Sequence, residues 1–222
     1  MISVQVSLSN SDLIVGFVEA VGVRWSSTGG SLESAVNAVV DRVKGGSFPS
    51  GDVRKAIRDL LRTGGFKPTG RSKPASEYLS QVALESFPRI SNLVDINNVV
   101  SLETGWPCSI VDLDLVGDGG LEVRLGRRGE SYVFNGAGQF IDLGGLICLA
   151  KVDGEAIANP VKDSMATKAR ESTSRVLFVT YTSRKIADSR SVQVVLERVG
   201  MLLREHAGAQ SVNYLLCGAD AV

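Results

Sequence analysis

The densest run of short polar side chains in this sequence lies inside an otherwise apolar stretch, residues 92–114. The run contains Asp95, Asn97, Asn98 and Ser101. Such groups bond readily to nearby backbone or to a ligand. Because an unpaired polar group inside a protein costs free energy, a polar row of this kind is usually kept for structure or for binding. We therefore interpret the stretch as a site on buried strands. The alternative is that Asp95, Asn97 and Asn98 cap a helix or satisfy strand ends.

Histidine and cysteine, the residues that most often bind zinc or take part in nucleophilic catalysis, are scarce in this sequence. His206 is the only histidine and lies near a predicted helix end, where histidines often bond the last carbonyls. The three cysteines, Cys108, Cys148 and Cys217, are odd in number and widely spaced. This pattern argues against a disulfide framework and against a zinc site, and it fits a reducing cytoplasm. The sequence predicts no cofactor and no metal, and it shows no export signal or membrane span.

The elements that must position the polar row follow from periodicity. Residues 2–8 and 14–18 alternate as strands and predict an N-terminal hairpin or sheet edge. Apolar residues at helical spacing predict three helices, which start near Ser31, near Ser50 and after Pro74. The third is expected to turn Tyr78, Leu79 and Val82 inward. Short strands are predicted for residues 90–181, then a helix over 191–205 and a strand over 212–217. Helices, then strands, then a helix and a strand predict an α+β fold rather than a wound parallel sheet.

Positive charge is concentrated between residues 54 and 73, although the formal net charge of the chain is zero. Only Asp59 opposes the cations of this segment. A local excess of this kind can attract a polyanion. We therefore predict that a polyanion contacts these residues, the alternative being a solvated helix face followed by a basic loop. The predicted contacts are Arg54, Arg58, Arg62, Lys67, Arg71 and Lys73.

The order of these motifs resembles the tRNA-binding and editing domain, called B3/4, of the phenylalanyl-tRNA synthetase beta subunit. That family reads Asp, hydrophobic, Thr, Asn, Tyr, and then Gly-x-Pro-x-His-x-x-Asp. Residues 95–99 and 105–112 follow the two patterns, and Arg124 with Gly129 and Glu130 fits the family's next strand pair. The resemblance covers residues 53–180. It implies a three-layer arrangement of antiparallel sheets flanked by helices, in a single free-standing domain over 1–222 with 1–50 and 183–222 as additions.

The resemblance also implies a chemistry, because the family module hydrolyses the ester of an amino acid wrongly attached to tRNA. Such an ester is already activated, so catalysis needs a positioned water and a stabilised oxyanion more than a strong nucleophile. On this basis the chain is expected to be an aminoacyl-tRNA deacylase acting in trans, using a positioned water. The residues expected to be catalytic are Asn98 and Ser109, which lie in the matched motifs, and Asp163, a loop carboxylate that could bind the substrate's ammonium group or orient water. Those expected to bind substrate are Asn97, Asn159 and Thr167. The resemblance also implies that the polyanion predicted at the basic segment is tRNA.

Two of the departures from the family pattern replace groups that help recognise the phenolic hydroxyl or place water. Ser109 replaces the family histidine, and Val179 stands where the family has glutamate. Because buried polar partners decide whether a site accepts a hydroxyl, these changes argue against specific editing of tyrosine. Two alternatives therefore stay open. One is a noncatalytic protein that binds tRNA or a small amino-acid-like ligand, and the other is a hydrolase of small esters or amides that uses the same pocket.

Overall fold

The structure is a computed structural model that describes residues 1–8, 12–46 and 48–218. Its first half consists of β1 (Val4–Val6), β2 (Leu13–Val21), α1 (Ser31–Lys44), α2 (Gly51–Leu61), α3 (Ala75–Glu85), α4 (Asn92–Thr104), β3 (Cys108–Asp112) and α5 (Leu113–Val116). Its second half consists of β4 (Leu121–Leu125), β5 (Ser131–Val133), β6 (Phe140–Asp142), β7 (Ile147–Lys151), β8 (Ala156–Ala158), β9 (Arg175–Ser183), α6 (Ser189–Ala207) and β10 (Ser211–Cys217).

Two four-stranded sheets and a layer of helices form the fold. The central sheet has the order β10-β2-β9-β3 and is antiparallel throughout. The outer sheet has the order β1-β4-β7-β8, in which only β1 and β4 run parallel. Phe17 and Val179 of the central sheet pack toward the outer sheet, whereas Ile14 and Phe178 pack toward the helices. The central sheet is thus buried on both faces, and the predicted α+β, three-layer architecture is confirmed.

Local signals fix the ends of several helices as predicted. The Ser50 hydroxyl accepts a hydrogen bond from the Val53 N–H at 3.3 Å and so caps α2. The helices predicted after Ser31 and Pro74 and near the C-terminus are also present. The prediction for one face of α3 was wrong, because Tyr78 is 60% exposed while Leu79 is buried. The tyrosine lies on the open side of the helix.

The polar stretch that we predicted to lie on a strand is a helix up to Thr104. The Ser91 hydroxyl caps the start of α4 at the Val94 N–H, and Gly105 ends it in the left-handed conformation, with φ of 76°. Nine of the thirteen residues of α4 are buried. A helix that is surrounded by protein needs no polar face, so its sequence lacks the apolar stripe that reveals a surface helix. The strand prediction holds only for β3.

The two N-terminal strands do not form a hairpin. β1 lies at the edge of the outer sheet beside β4, and β2 belongs to the central sheet. The sheet-edge alternative is therefore the correct one. The turn predicted at residues 9–11 lies outside the described residues.

A buried ion pair holds the outer sheet to the loops beside it. Two nitrogens of Arg124 donate to the Glu130 carboxylate at 2.8 and 2.7 Å, and that carboxylate also accepts from the Arg127 and Ala156 N–H groups. The Arg124 hydrogen bond and these backbone bonds lower the pKa of Glu130 to about 2. This pair is the Arg and Gly-Glu feature noted in the sequence, and here its role is structural.

Glu130→Gln is therefore expected to lower the free energy of unfolding at pH 7 by roughly 2–4 kcal/mol, because it leaves the Arg124 guanidinium, with a side chain 8% exposed, without its counter-charge. A depressed carboxylate pKa stabilises the fold above the unfolded value, and this stability is lost as pH falls toward about 2. The gap between variant and wild type should thus shrink between pH 4 and pH 2 in urea titrations.

The matched control is Glu155→Gln, whose carboxylate is 70% exposed and pairs with Lys151. It should change stability by no more than about 0.5 kcal/mol. Equal losses in the two variants would contradict a special role for the Arg124 pair.

Candidate functional site

A cleft of about 270 Å³ opens where α4, β3 and the loop after β8 meet, at the edge of the central sheet. Apolar side chains form part of its wall, among them Trp25, Val94 and Ile110. Polar side chains line the rest. They include Asn97, Asn98, Asn159 and Asp163. The structure thus brings four of the six predicted catalytic and substrate-binding residues around one cleft, which we call the first cleft.

Asp163 supplies the carboxylate of the first cleft. The Ser109 hydroxyl donates to its Oδ1 atom at 2.7 Å, and the Asn159 N–H donates to the same atom at 3.3 Å. Among the described residues, no hydrogen bond engages Oδ2. Burial raises the pKa of Asp163 to about 7, and the bonds from Ser109 and Asn159 oppose that rise. A carboxyl group with this pKa gains and loses a proton near neutral pH, which is what a general base requires.

Asn159 shapes the loop that carries Asp163. Its side-chain oxygen accepts hydrogen bonds from the Val161 and Lys162 N–H groups, at 2.7 and 2.9 Å. Its side-chain nitrogen donates to the Tyr132 hydroxyl, which in turn donates to the Lys162 carbonyl at 2.6 Å. The amide is therefore consumed within the protein. Asn159 positions Asp163, and its predicted contact with substrate stays a prediction.

The two asparagines of α4 differ in how they are engaged. Asn97 is buried, and its side-chain nitrogen donates weakly to the Cys108 carbonyl at 3.4 Å. Asn98 is half-buried and lines the first cleft, and no hydrogen bond within the described chain uses its side chain. The Asn98 amide is thus available to a ligand as both donor and acceptor. Among the polar residues of α4, Asn98 is therefore the one best placed to bind a ligand.

Ser109 and Thr167 do not line the first cleft. Ser109 is completely buried on β3, directly opposite Val179 of β9. It can act only through Asp163, so it is a positioning residue. Thr167 is also buried, and its hydroxyl donates to the Ile157 carbonyl at 3.1 Å. That bond is a structural one within the loop.

Two lysines and a tryptophan that line the first cleft were not predicted as site residues from the sequence. Lys162 and Lys168 flank Asp163 in the same loop, so a lysine on either side of a candidate carboxylate was an available signal. Trp25 follows β2 and reaches the cleft only through the packing of that segment against α4. No spacing in the sequence connects it with Asn98.

The cations of the basic segment, residues 54–73, differ in whether a carboxylate neutralises them and in whether they line a cleft. Arg58 makes a two-pronged ion pair with Glu77 at 2.7 and 2.6 Å, and Arg62 pairs with Asp59 at 2.6 Å. Arg54 donates to the Pro49 carbonyl, and Lys67 is exposed. Only Arg71 and Lys73 line a cleft, a second one of about 610 Å³ beside the first. Contact of the six cations with tRNA stays a prediction. Because Glu77 and Asp59 already neutralise Arg58 and Arg62, Arg71 and Lys73 are the more favourable candidates.

Two of the cysteines are inert. Burial raises the pKa of Cys108 and Cys148 to about 12, so both stay protonated thiols at neutral pH and are poor nucleophiles. In the part of the chain that the structure describes, no cluster of three or more His, Cys, Asp or Glu side chains could hold a metal ion. No helix there is long and apolar enough to cross a membrane.

Comparison with known proteins gives consistent matches. The family model described as the B3/4 domain matches residues 70–208. The phenylalanine-tRNA ligase beta subunit of Burkholderia lata is 55% identical over 60 residues, and that of Nitratidesulfovibrio vulgaris is 40% identical over 60 residues. Each match spans 27% of this chain and 7% of the relative.

A solved structure also matches, that of an N-terminal fragment of the phenylalanyl-tRNA synthetase beta subunit from Pyrococcus horikoshii. It is 11% identical, with a TM-score of 0.49, and the alignment covers 97% of this chain and 54% of the fragment.

The contact between Ser109 and Asp163 yields a prediction. Ser109→Ala should raise the pKa of Asp163 above about 7, because the lost hydrogen bond stabilises the ionised carboxylate. Carboxyl carbon shifts measured by NMR against pH, with Asp163→Asn to assign the signal, report this directly. Ser101→Ala is the control, since it removes another buried hydroxyl, one that donates to the Trp106 carbonyl instead. An unchanged Asp163 titration in Ser109→Ala would contradict the assignment.

Proposed function

The chain belongs to the B3/4 domain family, and from that premise we propose that it hydrolyses the ester of an aminoacylated tRNA, acting in trans in the cytoplasm. The observation that carries the proposal is the first cleft, where Asp163, with a pKa of about 7, and the unengaged amide of Asn98 line the same space. A base and a free hydrogen-bonding group beside an apolar pocket are the groups that ester hydrolysis needs.

In the proposed reaction the amino-acid side chain lies against the apolar wall of the first cleft. The Asn98 amide bonds the acyl carbonyl oxygen and stabilises the negative charge that develops there. Ionised Asp163 takes a proton from a water molecule as the water oxygen bonds to the acyl carbon. The bond from that carbon to the ribose oxygen then breaks, and the ribose oxygen takes up the proton. The products are a free amino acid and a tRNA with its hydroxyl restored.

Ser109 and Val179 bear on the choice of amino acid. The Ser109 hydroxyl is committed to Asp163, and Val179 is apolar and completely buried. Neither side chain offers a free polar partner for a phenolic hydroxyl, so we propose a substrate other than tyrosyl-tRNA. The first cleft, with Trp25, Val94 and Ile110 in its wall, favours an apolar side chain.

The proposal concerns ester hydrolysis alone. The matched segment spans 7% of the ligase beta subunits, so their aminoacylation activity is not part of it. We also propose that residues 1–50 and 183–222 are additions to the domain. Both segments contribute to the folded sheets and helices, and the family match, over residues 70–208, leaves out 1–50 and 209–222 but includes 183–208.

Deacylation of a panel of mischarged tRNAs tests the proposal. Asp163→Asn should slow hydrolysis by about 100-fold or more, because it removes the base. Asn98→Ala should cost about 100-fold through the lost oxyanion bond. The control is Asn213→Ala, an exposed asparagine on β10 at the opposite edge of the central sheet, which should retain full activity.

Three other outcomes would overturn the proposal. Hydrolysis of every charged tRNA at the rate of buffer alone excludes a deacylase. Binding of tRNA or an amino acid without turnover, seen as thermal stabilisation, identifies a noncatalytic binding protein. Hydrolysis of small amino-acid esters that is independent of tRNA identifies a small-molecule hydrolase.

The pH dependence is a separate prediction. Since only the ionised form of Asp163 accepts a proton, kcat/KM should rise about tenfold per pH unit up to about pH 7 and then level off, after subtraction of spontaneous hydrolysis. Asp163→Asn should lack this inflection. A flat wild-type profile between pH 5 and pH 8 would remove Asp163 from the role of base.

A further inference from the structure

The edge of the central sheet that lies opposite the first cleft is a strand with a partner on one side only. β10 pairs with β2 over all seven of its residues, and within the described residues no other strand lies beside it. Natural proteins usually protect such an edge with a charged side chain, a proline or a bulge. The sequence of β10, SVNYLLC, contains no charge and no proline, and its pairing with β2 has no bulge. This edge is therefore open to pairing with another strand.

The apolar side chains of β10 are only half-buried, and this holds for both faces of the strand. By contrast, eight of the nine residues of β2 are buried, as are eight of the nine of β9. Those of one face of β10 pack toward the helices and those of the other toward the outer sheet, and they are Val212, Tyr214 and Leu216, and Leu215 and Cys217. A further antiparallel strand beside β10 would cover both faces.

The helix beside this edge, α6, carries unneutralised charges of both signs. Tyr214 lies against Gly200, where an added Cβ would collide with the tyrosine hydroxyl, and Arg204 donates to that hydroxyl at 3.2 Å. Glu197 lies three residues before Gly200 and Arg204 lies four residues after it, so both share that side of the helix. Both are exposed, and within the described residues neither forms an ion pair. Opposite charges thus lie on either side of Tyr214.

We propose that β10 pairs in antiparallel fashion with β10 of a second copy of this chain, which joins the two central sheets in a two-fold dimer. A two-fold axis brings the same surface of each copy to the contact, so that surface must be complementary to itself. With the axis at Tyr214, the two α6 helices run antiparallel beside each other, and Glu197 of each copy faces the partner's Arg204. This charge self-complementarity favours a second copy over an unrelated protein.

The dimer leaves both candidate sites open. The first cleft lies beside β3, which is the other edge of the central sheet. Each copy therefore keeps a complete cleft, and the inference is independent of the proposed function.

A disulfide tests the register of the two strands. Ser211 lies three residues before Tyr214 and Cys217 three residues after it, so the proposed register sets Ser211 opposite the partner's Cys217. Directly opposed residues of antiparallel strands have Cα atoms about 4.5–5.5 Å apart, which a disulfide can bridge. Ser211→Cys should therefore give a covalent dimer under mild oxidation, seen on a non-reducing gel. Ser211→Cys combined with Cys217→Ser should give none.

Charge reversal tests the contact between the helices. Glu197→Arg should weaken the dimer by about tenfold or more in sedimentation experiments, because each new arginine faces the partner's Arg204. Arg204→Glu should do the same, and the two changes together should restore the dimer to within about threefold of wild type. The matched control is Glu85→Arg at the end of α3, an exposed position away from this edge, which should leave the dimer unchanged.

Three outcomes would overturn the inference. The first is a wild-type chain that stays monomeric up to roughly 0.1 mM, as it would if another segment or another protein covered β10. The second is equal weakening by Glu197→Arg and Glu85→Arg. The third is a crosslink through Ser211→Cys that persists without Cys217, since it requires a different register. A dimer that lacks deacylase activity would leave the inference standing, whereas a monomeric deacylase would defeat it alone.

Discussion

The structure depends on a helix, α4, that is surrounded by protein, so nearly every polar side chain on it must find a partner inside the fold. Asn92 donates to the Arg24 and His206 carbonyls and so joins the end of α6 to the segment after β2. Asp95 accepts from the Thr28 hydroxyl and the Ile90 N–H, which fixes the entry to the helix. Satisfying the polar groups of α4 thus positions the walls of the first cleft.

The same requirement separates structural from functional residues. Asp95 is consumed by the fold, as the alternative interpretation of the polar row proposed, and so is Asn92. Asn98 differs because its side chain has no partner among the described residues and faces a cleft. The loop after β8 shows the same division. Asn159 spends its amide on holding the loop, and the carboxylate it holds, Asp163, keeps one oxygen unbonded.

What the sequence predicts well is what local signals decide. The Ser50 cap and the apolar stripes give α1, α2 and α6, and the order of elements gives the α+β class. The helical state of α4 is hidden, because a helix buried over most of its surface shows no apolar stripe. Tertiary pairing is hidden as well, since the neutralisation of Arg58 by Glu77 depends on the packing of α2 against α3. Asn98 was predicted through the family resemblance and Asp163 through the chemistry of a carboxylate in its loop, whereas Trp25 lay beyond any local pattern.

The two predicted replacements of the family histidine and glutamate fall on one pair of neighbouring residues. Ser109 and Val179 are cross-strand partners on β3 and β9, so their side chains share one buried face of the central sheet. A histidine and a glutamate placed there would depend on each other, because removing one leaves a buried charge without a partner. Replacing both together avoids that cost. The serine hydroxyl then donates to Asp163, and the carboxylate of the cleft lies on a loop that Asn159 and Tyr132 hold in place.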